Sequence, residues 1–140
     1  MTERKQANEH PFGPVVYRYT RKQALEDGVL IDVTQMAKEA GFKWPVALTA
    51  AAWDDCVAWS DEDNRQQTYQ DASGRLWDVL IMAAFSVQSA PEGLHPALFA
   101  LMRIPRDGTS QRSERRRLKL VLGPGDDGEP VLTIMLPNED

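Results

Sequence analysis

Apolar runs of strand character and of helical period follow one another along the chain. Val15-Val16-Tyr17-Arg18-Tyr19, rich in β-branched and aromatic residues, predicts a strand. Thr20 is placed to cap a short helix over Arg21 to Asp27, which Gly28 ends. Val29 to Val33 predicts a second strand, and Thr34 a second cap, for a helix from Gln35 to Ala40 with Gly41 just past its end. Phe42 to Leu48 is extended at least around Trp44, because Pro45 disfavours a helical residue before it. Thr49 caps a third helix, Ala50 to Trp59, on which Trp53 shares a face with Cys56 or Val57. Ser60-Asp61-Glu62-Asp63 signals a helix start or a loop and opens a polar stretch that ends near Ser73-Gly74.

Arg75 to Gln88 is the strongest helix, so apolar around its circumference that it belongs in the middle of the fold. Pro91, Gly93 and Pro96 mark a loop. Leu98 to Ile104 is a candidate strand, followed by a mobile basic loop from Ile104 to Arg117. Leu118, Leu120 and Leu122 alternate with Arg117, Lys119 and Val121, and Leu132, Ile134 and Leu136 with Val131, Thr133 and Met135. Strict alternation places each set on one buried face. Gly123 to Pro130 joins these two strands as a hairpin loop. The pattern predicts a flexible leader over 1–13 and one α+β domain over 14–140. In that domain helices pack on an antiparallel sheet that ends in a C-terminal β-hairpin.

The length of 140 residues fits one domain. With 42% apolar and 26% charged residues, a wholly disordered or low-complexity protein is excluded. No apolar run reaches the roughly 18 residues of a spanning helix, and the first residues hold no secretory signal. The single cysteine cannot form an internal disulfide. A cytoplasmic location and no membrane partner are expected.

Charge sharpens the picture because it is uneven. The net value is −5, which disfavours general nucleic-acid binding. Glu26 to Asp78 holds eleven acids against four bases, whereas Arg103 to Lys119 holds seven bases against two acids. The basic block is a footprint for phosphate or an acidic partner, or else a solvated strand edge where arginine deters pairing. The acidic block offers Asp54, Asp55, Asp61, Glu62 and Asp63. These could hold a divalent cation, mimic a phosphate surface, or simply meet the positive end of a helix. No metal and no cofactor are expected.

Catalytic constellations are thin. Cys56 follows two acids, which weaken a thiol nucleophile, and His10 and His95 lie in the leader and a Pro/Gly loop. A buried core role suits Cys56 better. Gly123-Pro124-Gly125-Asp126-Asp127-Gly128 lacks the lysine and following helix of a phosphate cradle and reads as a turn. Tyr17, Tyr19, Thr20, Gly28 and Asp32 loosely resemble the opening of mono-ADP-ribosyltransferase-like folds. That likeness implies Arg18 or Arg21 as a dinucleotide contact, and no catalytic glutamate follows. Any exposed member of Trp44, Trp53, Trp59 and Trp77 is a candidate contact residue.

Longer stretches carry a second resemblance: Tyr19 to Val33, Ala40 to Thr49, Arg75 to Leu80 and Leu122 to Pro130. Together they resemble a domain-of-unknown-function family of small bacterial proteins, often carried on plasmids and other mobile elements. The likeness covers most of residues 15–140 and implies no active site. It implies a context, since such proteins often block a host defence or regulate plasmid upkeep. The leading expectation is therefore a non-enzymatic protein-binding module that inhibits a host defence complex, such as a CRISPR–Cas effector or a restriction enzyme. Its contacts would be the five acids above or the basic set Arg106, Arg112, Arg115, Arg116 and Arg117. The alternatives are a small enzyme of ADP-ribosyltransferase or hydrolase type, and a plasmid-linked regulator touching nucleic acid through the arginine loop. A homodimer is an open possibility.

Overall fold

The computed structural model describes residues 19–89 and 96–140, over which it has five helices and five strands, one helix more than the sequence pattern predicts. Helix α1 (Arg21–Glu26) starts at Thr20, whose hydroxyl accepts from the Gln23 N–H while the Gln23 side chain returns to the Thr20 N–H. Gly28, at φ +77°, turns the chain into β1 (Leu30–Asp32). Helix α2 (Thr34–Glu39) begins one residue earlier than expected. Its start is held by Asp32, whose Oδ1 accepts from the Thr34 N–H. The Thr34 hydroxyl is therefore not the cap; it accepts from the Val46 N–H and ties α2 to β2 (Val46–Thr49).

Thr49 caps α3 (Ala50–Cys56) as predicted, but this helix stops before Val57 rather than at Trp59. Ser60 then caps α4 (Asp61–Gln66), with the Asp63 side chain completing the capping box. The polar stretch thus resolves into a short helix. Helix α5 (Ala72–Ser89) buries one stripe, Leu76, Val79, Leu80 and Ala83, against the sheet. Its other side leaves Trp77, Met82, Phe85 and Val87 exposed, so it lies on the fold rather than within it. Among the described residues, no second layer covers that side.

Strands β3 (Ala97–Arg103), β4 (Glu114–Pro124) and β5 (Pro130–Met135) complete a sheet of order β1-β2-β5-β4-β3. The expected C-terminal hairpin is β4–β5. The sheet is mixed rather than purely antiparallel, because β5 inserts beside β2 in parallel register, Leu48 opposite Ile134. As the central strand β5 is buried on both faces. Leu132 and Ile134 face the helices, and Val131 and Met135 are buried on the other side. Val46, Leu48, Leu118, Leu120, Phe99 and Leu101 join the helical stripe as the core.

The expected strand over 15–18, the leader, His10 and His95 lie outside the described residues. Tyr19 itself is not in a strand. No helix among the described residues is long and apolar enough to cross a membrane.

Candidate functional site

The acids and bases expected as separate patches meet one another. Asp55, on α3, accepts from Arg103 Nη2 at 2.8 Å and from Arg116 Nη2 at 3.1 Å. Asp63 accepts from Arg106 Nε at 2.7 Å while its Oδ2 also caps Ser60. Glu62 pairs with Arg65 on the exposed side of α4. Of the expected acidic set only Asp54 and Asp61 are exposed with no ion pair among the described residues. The acidic cluster is therefore not a free contact surface: two of its five members, Asp55 and Asp63, close the fold.

These pairings set the titration of the acids. Burial pushes the Asp55 carboxyl up, but the hydrogen bond and charge of Arg103 and the charge of Arg116 outweigh it and hold the group below the ordinary value. At Asp63 burial is likewise outweighed by the Ser60 N–H and by Arg106. Burial, reinforced by the Asp55 carboxylate, pushes the Cys56 thiol up to about 12. Cys56 is thus a neutral core residue whose thiol donates to the Asp55 carboxylate.

The basic loop is also rearranged. Arg115, Arg116 and Arg117 belong to β4, and only residues 104–113 form the loop. That loop is tied to the body of the fold by hydrogen bonds. The buried Gln67 donates through Nε2 to the Pro105 and Ser110 carbonyls and accepts from the Gly108 N–H. Asp107 caps the turn from within, accepting the Ser110 hydroxyl and the Thr109 and Ser110 N–H groups, which hold its carboxyl well below the usual range. Arg112 is exposed at the loop's end.

Two features lie on the side where α5 meets β3. The first is the free edge of the sheet. Among the described residues β3 pairs with β4 alone. Ala97, Phe99 and Leu101 point into the core; Leu98 and Met102 point away and are 56% and 57% exposed. Opposite Leu98, Ala100 and Met102 on β4 stand Lys119, Arg117 and Arg115, a basic row on the same outer face. A groove of about 450 Å³ runs along this seam, lined by Ile81 and Met82 of α5, Ala100 and Met102 of β3, Arg115 and Asp78.

The second is a polar cleft of about 390 Å³ that shares Asp78 and Met102 with the groove. Its wall includes Gln70, Arg75, Arg103, Gln111 and Ser113. Arg75 is 3% exposed and has no carboxylate partner among the described residues. Its guanidinium lies 4.5 Å over the Trp59 ring, and burial pulls its pKa down. Nothing in the sequence reading marked this residue. The available signal was an arginine inside the apolar stripe of a helix.

Other expected groups have structural roles. Arg21 donates to Thr133 Oγ1 and the Leu132 carbonyl, stapling α1 to β5. Arg18 lies outside the described residues. No three His, Cys, Asp or Glu side chains group as metal ligands among the described residues. Trp44 and Trp77 are the exposed tryptophans.

A family model described as a family of unknown function (DUF6573) matches residues 9–140. No curated protein and no solved structure matches the chain.

Proposed function

The chain belongs to the DUF6573 family of unknown function, and from that premise we propose that it is a protein-binding module that takes an extended acidic segment of a partner along the β3 edge. The observation that carries this reading is the edge itself: a seven-residue strand with one side unpaired among the described residues and apolar side chains, Leu98 and Met102, facing out. Unpaired strand edges recruit further strands, and natural proteins usually blunt them. Here the outer row of β3 is apolar, while the charge that would deter pairing stands one strand back, at Arg115, Arg117 and Lys119. A partner strand on this edge would have its main chain paired by β3 and its acidic side chains within reach of that row.

A host defence complex, a CRISPR–Cas effector or a restriction enzyme, is the partner class suggested by the resemblance to proteins of mobile elements. The resemblance alone supports that choice. Affinity capture from a nuclease-treated host lysate tests the reading when three baits run in parallel. The wild type is compared with the doubly changed Leu98→Glu/Met102→Glu chain and with Asp54→Ala/Asp61→Ala. A partner retained by wild type and by the acid variants, lost by the edge variant and shed at high salt supports edge docking. A partner that ignores the edge substitutions sinks it, as does capture that vanishes with nuclease.

A further inference from the structure

Arg75 is an ionised side chain in the interior without a counter-ion among the described residues. Its Nε donates to the Val57 carbonyl at 3.2 Å, and its Nη1 to Gln70 Oε1 at 2.8 Å and the Ile104 carbonyl at 2.9 Å. Nη2 is buried and has no hydrogen-bond partner among the described residues. Every acceptor it does have is neutral. Burying a guanidinium on these terms is unfavourable unless an anion completes it. The ion pairs nearby do not, because Asp55 is engaged by Arg103 and Arg116.

We propose that the cleft at Arg75 is a binding site for a carboxylate, which displaces the Gln70 carboxamide from Nη1 and takes Nη2 with its second oxygen. The exchange replaces a neutral acceptor by a charged one in the two-point geometry that guanidinium groups favour. Gln70 is the element that can yield. It is half-buried, and its side chain holds Arg75 by a single bond, whereas the Val57 and Ile104 carbonyls are main chain. Arg103, Gln111 and Ser113 line the same cleft and offer further donors to the body of the ligand. Charge selects a monoanion. Arg75, Arg103 and Arg116 exceed Asp55 and Asp78 by one positive charge, so one carboxylate neutralises the set and a phosphate dianion overshoots it. The volume, about 390 Å³, accommodates a small acid or one side chain of a bound peptide. The site stands whether or not the β3 edge docks a strand.

Thermal unfolding of the full chain tests this with sodium acetate and with a single glutamate blocked at both ends as an amide. Sodium chloride and sodium phosphate at matched ionic strength serve as controls. The expected result is a saturable rise in Tm with either carboxylate beyond that with chloride. A rise with both probes points to free acids as the source; a rise with the blocked glutamate alone points to a partner's side chain. Gln70→Glu supplies the carboxylate from within. Its unliganded Tm is expected above wild type and its carboxylate affinity at least about tenfold weaker. Gln70→Ala removes the group to be displaced and is expected to bind at least as tightly as wild type. No rise beyond chloride, a larger rise with phosphate, or a Gln70→Glu chain that keeps the carboxylate response would overturn the site and leave Arg75 as a staple between α3, α5 and β3.

Discussion

At the scale of single residues, Cys56 and Asp55 are two ends of one electrostatic arrangement. The thiol sits in the core, 3.4 Å from the carboxylate that draws in Arg103 and Arg116. With its pKa near 12 instead of 9, the thiolate population falls roughly a thousandfold. Native chain at pH 8 is therefore expected to resist a thiol-labelling reagent, and to react at the rate of a free thiol only after unfolding. Fast labelling in the native state would contradict the burial. Asp55 contributes to the pH dependence, as do Asp63 and Asp107. The folded pKa of Asp55 is depressed, so the stability it contributes is present above the unfolded value and is lost as pH falls through the folded one. Asp55→Asn is expected to cost roughly 1–3 kcal/mol near pH 7, between the exposed and the buried limits for an ion pair. The Tm difference from wild type should shrink below about pH 4. Residue roles were legible where chemistry is local, as with the Thr20, Thr49 and Ser60 caps. They were not legible at Asp55, whose partner Arg103 lies 48 positions away, or at Arg75, whose main-chain acceptors Val57 and Ile104 lie 18 and 29 positions away.

At the scale of elements, the loop 104–113 and strand β4 divide what the arginine run left joined. The alternation that places Leu118 and Leu120 inward begins only at Arg117, because Glu114, Arg115 and Arg116 are charged at inward and outward positions alike, so the first residues of β4 were not readable as strand. Charge obscured them, because four adjacent polar residues resemble a loop. The anchor of the loop, Gln67, gave no sequence signal at all: it is one glutamine in a polar stretch. Gln67→Leu keeps the volume and leaves the Pro105 and Ser110 carbonyls and the Gly108 N–H without their partner, which is expected to cost about 1–3 kcal/mol. Limited trypsin digestion checks it, with cleavage after Arg106 and Arg112 expected to accelerate well before the rest of the chain opens. The two sides of β3 make a sharper test. Leu101→Ala, facing the core, should cost about 2–5 kcal/mol, and Met102→Ala, facing out, within about 0.5 kcal/mol. A register shifted by one residue would reverse that order.

At the scale of the whole molecule, the last strand decides the architecture. The β-hairpin Gly123 to Pro130 was legible from its turn residues, but not the destination of β5, which passes beyond β4 to pair in parallel with β2. The clue was its composition. Val131, Leu132, Ile134 and Met135 interrupt the alternation with apolar residues on both faces, and a strand of that kind belongs in the interior of a sheet. Its one polar member in the run, Thr133, is met by the Arg21 guanidinium from α1. Among the described residues, strand β5 is thus the only link in the sheet between β1–β2 and β4–β3. Neither part has a closed sheet without it, so the domain should unfold as one unit. Far-UV circular dichroism and the fluorescence of the tryptophans, all of which precede β3, are expected to give one coincident denaturant transition. A chain ending at Gly128 should show no cooperative transition at all, because its hydrophobic sheet faces would meet only across an unfilled gap. Two separated transitions in the full chain would mean that the halves fold without the strand that joins them.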